Sequence, residues 1–453
     1  MKKFEEVYTD IRAITLNVTN NCNLRCSYCF EKAKAPEMMS PEIAVKAIDK
    51  AYRKLEKEPF TINFFGGEPL LNWPAVKAVI DHCEEKNYIV RYGITTNLTI
   101  LTDEMLEYFD RVSMPVLVSI DGIKEVHDKN RCKSYDTVLK NLKKLIDIGL
   151  TRHIEARLTV LPEDVKYTLQ GLKEIYALGI DNLCPIPVTD IEWDEQSLKD
   201  CRQFYKECNE WFLEVMKNPP KDRNLTIKNI DDLLRHSLVP EQYDTHMCPI
   251  FQNTWCTVDW EGKVYCCHQG PTSTPEFKEE LCMGDIDYID ETKIRENPMP
   301  AEFLKEECNT CVAKVTCKSG CPVENLRENR NYNKCTQAYC DIHRIIAEES
   351  LRIREELLSL EITHNHNLSN IRNCLRIKDY VDKLVNTTNL DISNNLQIIM
   401  QVTHIGEMVD NLGGDYYLLP SFKQYIQDKL RRFLISLAVH DGVYLRNEYR
   451  EVK

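Results

Sequence analysis

No apolar run in this chain of 453 residues reaches the roughly 20 that a helix needs to cross a bilayer, so no membrane span is expected. The opening residues, MKKFEEVYTDIR, lack the apolar core of a secretory signal. Basic residues are outnumbered, 58 Lys and Arg against 71 Asp and Glu, and the net charge of −13 argues against a general nucleic-acid surface. Low-complexity segments and internal repeats are missing as well. What remains has the composition of an ordinary globular protein, 43% hydrophobic and 28% charged, long enough for two or three domains. Without an export signal, the 20 cysteines are expected in a reducing, cytoplasmic setting, as ligands or buried thiols rather than disulfides.

Three of those cysteines, Cys22, Cys26 and Cys29, stand in CNLRCSYCF, a C-x3-C-x2-C string. Three thiolates on one short loop can hold three irons of a cubic iron–sulfur cluster. The fourth iron then stays open to a small molecule, which makes the site a reaction centre rather than an electron carrier. The competing reading is zinc, but a structural zinc site has four ligands, usually as two close pairs. The next cysteine here is Cys83, more than fifty residues on.

Around this loop the sequence alternates between strand and helix patterns. Residues 12–18, 60–65, 88–95, 116–120, 153–160 and 182–187 read as short apolar strands. Residues 74–86, 102–110, 135–149 and 165–178 carry helical periodicity, and Ser40-Pro41 opens a further helix as N-cap and first residue. Six strand–helix units predict an α/β fold with a parallel sheet, a partial (β/α)6 TIM-like barrel. The cysteine loop and two later motifs fall at strand C-termini, where barrels place their chemistry.

These motifs resemble the radical S-adenosylmethionine (SAM) enzymes, whose signature is C-x3-C-x-aromatic-C, with Tyr28 as the aromatic residue. Gly66, Gly67, Glu68 and Pro69, in FFGGEPLL, look like the family's GGEP segment, which meets the SAM amino group. Glycines allow close backbone approach, and a carboxylate suits an ammonium. VSIDGIKEVHDKNR resembles the SxDG strand end, with Ser119 as a SAM contact, and Arg157 in ARLTV matches an arginine that meets the SAM carboxylate. One departure is Thr96-Asn97-Leu98, where many relatives have Thr-Asn-Gly. Leu avoids positive φ, so a different turn is expected there.

Eleven of the 20 cysteines lie between 248 and 340. Cys248, then Gly262-x4-Cys267, then Cys308-x2-Cys311-x5-Cys317-x3-Cys321, then Cys335, resembles the SPASM module, which binds two auxiliary 4Fe-4S clusters. The resemblance implies Cys248, Cys267 and Cys321, with Cys256 as candidate fourth ligand, for the inner cluster. Cys308, Cys311, Cys317 and Cys335 would hold the outer one. Without Cys256 the inner cluster has an open iron. Cys266 and Cys267 are adjacent and should face opposite ways. Taken alone, the 308–321 spacing also fits a zinc ribbon. Cys282 and Cys340 lie nearby but match no pattern.

The expected organisation is a radical SAM core over 1–190, a helical linker over 191–245 broken at Asn218-Pro219-Pro220, a SPASM module over 246–340 and a helical extension over 341–453. Amphipathic stretches in that extension suit a packing cap or a docking surface. The resemblance implies SAM and three 4Fe-4S clusters as cofactors, a flavodoxin or ferredoxin type reductant, and hydrogen abstraction from substrate carbon. The first expected activity is maturation of a ribosomally made peptide or protein by a two-electron oxidation, such as a thioether or other side-chain crosslink. The second is anaerobic sulfatase maturation, forming formylglycine. There an aspartate base follows the cysteine equivalent to Cys267, and His268 stands in its place here as candidate base. A third, non-enzymatic reading is an electron-transfer or scaffold protein, which would need no SAM pocket. About a dozen residues precede the first strand, so no leader-binding winged helix is expected ahead of it; a separate protein or the helical tail would bind the leader, or the substrate lacks one.

Overall fold

The computed structural model describes residues 1–31, 34–56, 58–220, 253–293, 306–313, 319–359, 366–386, 404–409 and 419–440, with isolated residues and short runs at 223, 225–228, 230, 248, 250, 317 and 402. Its centre is a run of parallel strands built from the expected apolar segments: β2 (Ala13–Thr19), β3 (Phe60–Gly66), β4 (Val90–Thr96), β5 (Val116–Ser119), β6 (Ile154–Val160) and β7 (Asn182–Pro187). They are adjacent in sequence order and all parallel. Alternate residues such as Ile62, Phe64, Val116, Val118, Ile154 and Ala156 are buried, which sets one face of each strand against helices. After a short α1 (Phe4–Val7) ahead of β2, the helices return the chain between strands: α2 (Pro41–Ala51), α3 (Trp73–Glu85), α4 (Asp103–Arg111), α5 (Lys124–Asn130), α6 (Tyr135–Asp147) and α7 (Val165–Ala177). This is a partial (β/α)6 barrel. Ser40 caps α2 as expected, its Oγ accepting the Ile43 N–H at 3.3 Å ahead of Pro41.

The sheet does not stop with the sixth strand. A short β8 (Thr226–Ile227) adds beside β7, and β9 (Trp255–Val258), from the cysteine-rich segment, pairs in parallel with β2. Beyond it, β10 (Lys263–Tyr265), β11 (Cys282–Asp285), β12 (Tyr288–Ile289) and the N-terminal β1 (Lys2–Lys3) continue antiparallel, giving 12 strands in one sheet among the described residues. The cysteine-rich segment therefore extends the barrel's own sheet. Past it lie α9 (Pro275–Leu281), α10 (Pro322–Asn329), α11 (Gln337–Ser359), α12 (His366–Asn386) and α13 (Leu419–His440). The expected linker contains α8 (Glu195–Lys217), against which α11 packs, with Arg202 paired to Glu348 at 2.6 Å. Most of 221–247 lies outside the described residues.

The turn after β4 corrects one expectation. Leu98 has φ +54, the left-handed conformation that a glycine would take, although it carries a side chain. Such a residue is strained by about 1–2 kcal/mol. Complete burial of Leu98 offsets this, as do bonds from its N–H to Thr96 Oγ1 (2.9 Å) and from Asn141 Nδ2 to its carbonyl (2.9 Å).

Candidate functional site

The C-terminal ends of β2 to β7 open into one cavity of about 690 Å³. Cys22, Cys26 and Cys29 line one end, on the loop that leaves β2. That loop is held from its own base. Cys22 Sγ accepts the Leu24 N–H at 3.4 Å and Asn97 Nδ2 at 3.8 Å, and the Cys29 N–H reaches the Cys26 carbonyl at 3.2 Å. Burial pushes the Cys26 thiol up to about 11, so it stays neutral until a cation compensates it.

The next wall is Gly66, Gly67 and Glu68. The chain passes so close to the end of β2 that a Cβ on Gly66 would sit 2.2 Å from the Thr19 carbonyl oxygen, and one on Gly67 2.2 Å from that of Asn21. Glu68 is buried and accepts three bonds, from Leu70 N (3.1 Å), Thr96 Oγ1 (2.6 Å) and Asn97 N (2.7 Å). Burial still outweighs these donors and pushes its carboxyl up to about 7, so an arriving ammonium would favour its ionised form. Ser119 and Arg157, paired in register across β5 and β6, line the opposite wall.

His268 faces the same space, ringed by Phe65 (centroids 4.8 Å), Trp255 (6.1 Å) and Phe30 (6.2 Å). Burial, with Arg157 and Arg327 nearby, pushes its pKa down to about 4. The ring is therefore neutral near pH 7 and a weaker proton acceptor than an ordinary histidine.

The remaining expected ligands divide in space. Cys321 lines the cavity; burial raises the Cys267 and Cys321 thiols, with charge from Cys321, Cys266 and Cys248 adding at Cys267 and from Glu324 and Cys248 at Cys321. Cys266 points elsewhere, its Sγ donating to the Leu281 carbonyl at 3.5 Å. Cys256 stands apart from the trio. It sits in β9 opposite Ile14, wholly buried, with burial alone raising its thiol. Cys308, Cys311, Cys317 and Cys335 do not line the cavity. The Cys335 thiol is hydrogen-bonded with those of Cys317 and Cys340, and Arg344 bonds to Cys311. Cys340 and Arg344 share the start of α11, a placement that cysteine spacing alone does not reveal.

Sequence reading also missed the far wall: Gln269, Glu324 and Arg327, with Ile342, His343 and Ile346 of α11. Gln269 Nε2 donates to Cys321 Sγ at 3.7 Å, while its Oε1 is buried without a partner. Near Cys29, the Glu31–Lys34 pair (2.5 Å) is 3% and 6% exposed, and Glu31 Oε1 is likewise unsatisfied. Each such atom costs about 1–3 kcal/mol until something meets it, which suits an occupant rich in donors. Among the described residues, no three His, Cys, Asp or Glu side chains surround a point for a single metal ion. A cubic cluster instead asks its cysteines to stand apart, one to each iron, and three thiols around the cavity's end fit that donor set.

A family model described as the radical SAM superfamily matches residues 16–180. An uncharacterized protein of Methanocaldococcus jannaschii is 30% identical over 264 residues, 54% of this chain and 87% of its own. The chain belongs to the radical SAM superfamily. The radical SAM cyclopropyl synthase TigE of Paramaledivibacter caminithermalis is 32% identical over 162 residues, but only 30% of this chain and 34% of that protein are covered. A cysteine-type anaerobic sulfatase-maturating enzyme of Clostridium novyi is 26% identical over 67% of this chain and 85% of its own. Among solved structures, native anSMEcpe with bound AdoMet and Cp18Cys peptide superposes with TM-score 0.62 at 19% identity, covering 80% of this chain and 99% of that one. Streptococcus suis SuiB bound to precursor peptide SuiA gives 0.51 at 13%, covering 74% and 78%. These likenesses are of fold. No helix among the described residues is long and apolar enough to cross a membrane.

Proposed function

We propose that this protein is a radical SAM maturase that oxidises a side chain of a ribosomally made peptide or protein by two electrons, forming a thioether or related crosslink. The observation that carries this reading is the single cavity with chemically different ends. Its inner end has three cysteines, a glycine-bounded carboxylate and Arg157. Its outer end has Cys321, an amide, a glutamate, an arginine and the apolar face of α11. A carrier of electrons alone would need no such space.

In this reading Cys22, Cys26 and Cys29 hold a 4Fe-4S cluster, and Gly66, Gly67, Glu68, Ser119 and Arg157 hold SAM. Bound there, the pair supplies one-electron chemistry that removes a hydrogen atom from an unactivated carbon. The protein's part is positional. Glu68 takes the ammonium, Arg157 the carboxylate, and the aromatic ring of Phe30, Phe65 and Trp255 around His268 keeps water from the reacting carbon. Cys248, Cys267 and Cys321 hold an inner auxiliary cluster, and the outer cysteines a second. If Cys256 is not a ligand, the inner cluster would have an open iron available to a substrate thiolate. His268, neutral and poorly basic, acts as a hydrogen-bonding wall rather than the general base. Electrons come from a flavodoxin or ferredoxin type donor in the cytoplasm, and a separate protein presents the leader where the substrate has one.

The second reading, formylglycine formation, draws on the likeness to the Clostridium novyi enzyme. The His268 substitution and its depressed pKa weigh against it. Mass spectrometry of an anaerobic reaction separates the two. Reduced, reconstituted protein with SAM is offered a peptide encoded beside its gene and, separately, a sulfatase-motif peptide. Loss of two hydrogens from the first, matched by 5′-deoxyadenosine, is the expected result. Formylglycine in the second, with the first unchanged, would overturn it.

A further inference from the structure

Three successive residues at the end of α5, Asn130 to Cys132, meet the cysteine loop from behind. The Asn130 carbonyl accepts the Ser27 N–H at 3.0 Å, and Asn130 Oδ1 accepts the Ser27 hydroxyl at 3.1 Å. Cys132 Sγ accepts the Arg25 N–H at 3.2 Å. Between them, Arg131 places its guanidinium 5.3 Å over the Tyr28 ring and donates from Nε to Asp121 Oδ2 at 2.9 Å. Tyr28 donates its hydroxyl to the same Asp121 oxygen. The segment is held in a conformation few side chains adopt, since Cys132 and Lys133 both have φ +58. Two consecutive left-handed residues persist only where their surroundings enforce them.

The Arg131 and Asp121 side chains are 7% and 1% exposed. Arg131 lines the same cavity end as Cys22, Cys26 and Cys29. Asp121 is committed elsewhere. Its Oδ1 accepts the Thr159 N–H at 3.0 Å, and its own N–H donates to His127 Nδ1 at 3.2 Å. The carboxylate thus anchors the guanidinium, which lies over Tyr28 on the loop segment between Cys26 and Cys29.

We propose that Arg131 is an electrostatic positioning residue for the cysteine loop. Its buried cation raises the reduction potential of the cluster that the loop holds, and Asp121 offsets part of that effect. The inference rests on the reading of Cys22, Cys26 and Cys29 as cluster ligands. Reduction adds one negative charge to the cluster. A fixed cation buried beside the loop favours the reduced state, and a fixed anion disfavours it. Neutralising the two partners must therefore move the potential in opposite directions. A purely structural role for the pair predicts no such opposition.

The test is a redox titration of the full, anaerobically reconstituted chain, following the electron paramagnetic resonance signal that changes when SAM is added. Iron and sulfide are counted in every sample. Arg131→Gln should lower the potential, by about tenfold in the reduction equilibrium or about 59 mV for one electron. Asp121→Asn should raise it, and Arg131→Lys, which keeps the charge, should move it least. Lys is also the variant that keeps the test usable should the uncharged one fail to hold its iron. Shifts of the same sign in Arg131→Gln and Asp121→Asn, or potentials equal to the wild type with full iron, would overturn the assignment. A wild-type protein with no SAM-sensitive signal would sink the underlying cluster reading, and this inference with it.

Discussion

Two cysteine groups, one near residue 25 and one over 311–340, are supported in different ways. The loop of Cys22, Cys26 and Cys29 leaves a strand in the middle of the sheet, and its neighbours are fixed by the fold: Asn97 in front, Asn130 to Cys132 behind, Glu68 at the side. The group of Cys311, Cys317, Cys335 and Cys340 is held largely by its own thiols and by the first turns of α11, through Arg344 and the bond from the Cys340 N–H to the Thr336 carbonyl at 3.2 Å. One site is preorganised by hydrogen bonds from residues that the barrel itself positions. The other is built from cysteines of loops and of the start of α11, outside the parallel strands, and its order is expected to depend on what those cysteines bind, as in small metal modules.

Removing metal should therefore separate the two regions, and this is the largest effect expected. After anaerobic chelation, residues 306–340 should become the first sites of proteolysis and thiol alkylation, while the barrel over 13–217 keeps its protection. Cys26→Ala should abolish SAM cleavage yet leave the melting temperature within a few degrees of wild type. Cys317→Ala should open the distal region even with Cys22, Cys26 and Cys29 intact. Mass-mapped alkylation and limited proteolysis read all three outcomes. Equal loss of protection in both regions would erase the distinction.

Preorganisation at the first site can be attacked without touching a cysteine. A Cβ at Gly67 would lie 2.2 Å from the Asn21 carbonyl oxygen and 2.9 Å from that of Asn20, both backbone atoms that cannot swing aside. Gly67→Ala should cost about 1–3 kcal/mol through this overpacking and weaken SAM binding, because it pushes the cysteine loop away from Glu68. Gly149→Ala is the control. It meets nothing within 4 Å, and only its φ of +88 is strained. It should lower stability by about 1 kcal/mol and leave SAM binding unchanged in equilibrium titration.

Much of the first region could be read from sequence because its signals are local. Alternation over 60–65 marks β3, Ser40-Pro41 marks the start of α2, and strand-end motifs mark the cavity's inner wall. Non-local pairing was not visible. Nothing in the string WCTV says that β9 will pair with β2, since strands of that composition pair with many partners. Nor does helical periodicity after 336 say that Ile342, His343 and Ile346 will close the cavity. Leu98 shows a third limit. A local rule correctly named its strained conformation as unfavourable, and packing overrode it.

The back of the cysteine loop also carries a titrating group. His127 Nδ1 accepts the Asp121 N–H, its Nε2 pairs with Ser134 Oγ at 2.9 Å, and Ser134 Oγ donates to the Arg131 carbonyl at 2.7 Å. The ring is therefore bound as a neutral imidazole. Burial pushes its pKa from 6.5 down to about 4, with Arg131 assisting and Asp121 opposing. Between pH 4 and 6.5 the unfolded chain binds the extra proton and the folded chain does not, so stability falls as pH falls through that window. The largest loss is about 3 kcal/mol, complete near pH 4. His127→Gln should flatten this slope in thermal melts between pH 4.5 and 7, at some loss of stability above pH 6.5. A slope unchanged in the variant would assign the acid sensitivity to other groups.

The smallest expected effect tests where the inner cysteines end. By position in the chain, Cys256 belongs with Cys248 and Cys267. In space it faces Tyr8 and the sheet core, fully buried in β9. A thiol there acts as a small apolar group. Cys256→Ala should remove one buried atom's worth of packing, about 1 kcal/mol, and leave iron and sulfide content at the wild-type value. Cys267→Ala, one strand away and beside Cys321, should lower iron content by a whole cluster or leave it damaged. If instead Cys256→Ala loses iron, β9 must shift when metal binds. The inner site would then resemble the outer one, shaped by its ligand rather than by the sheet.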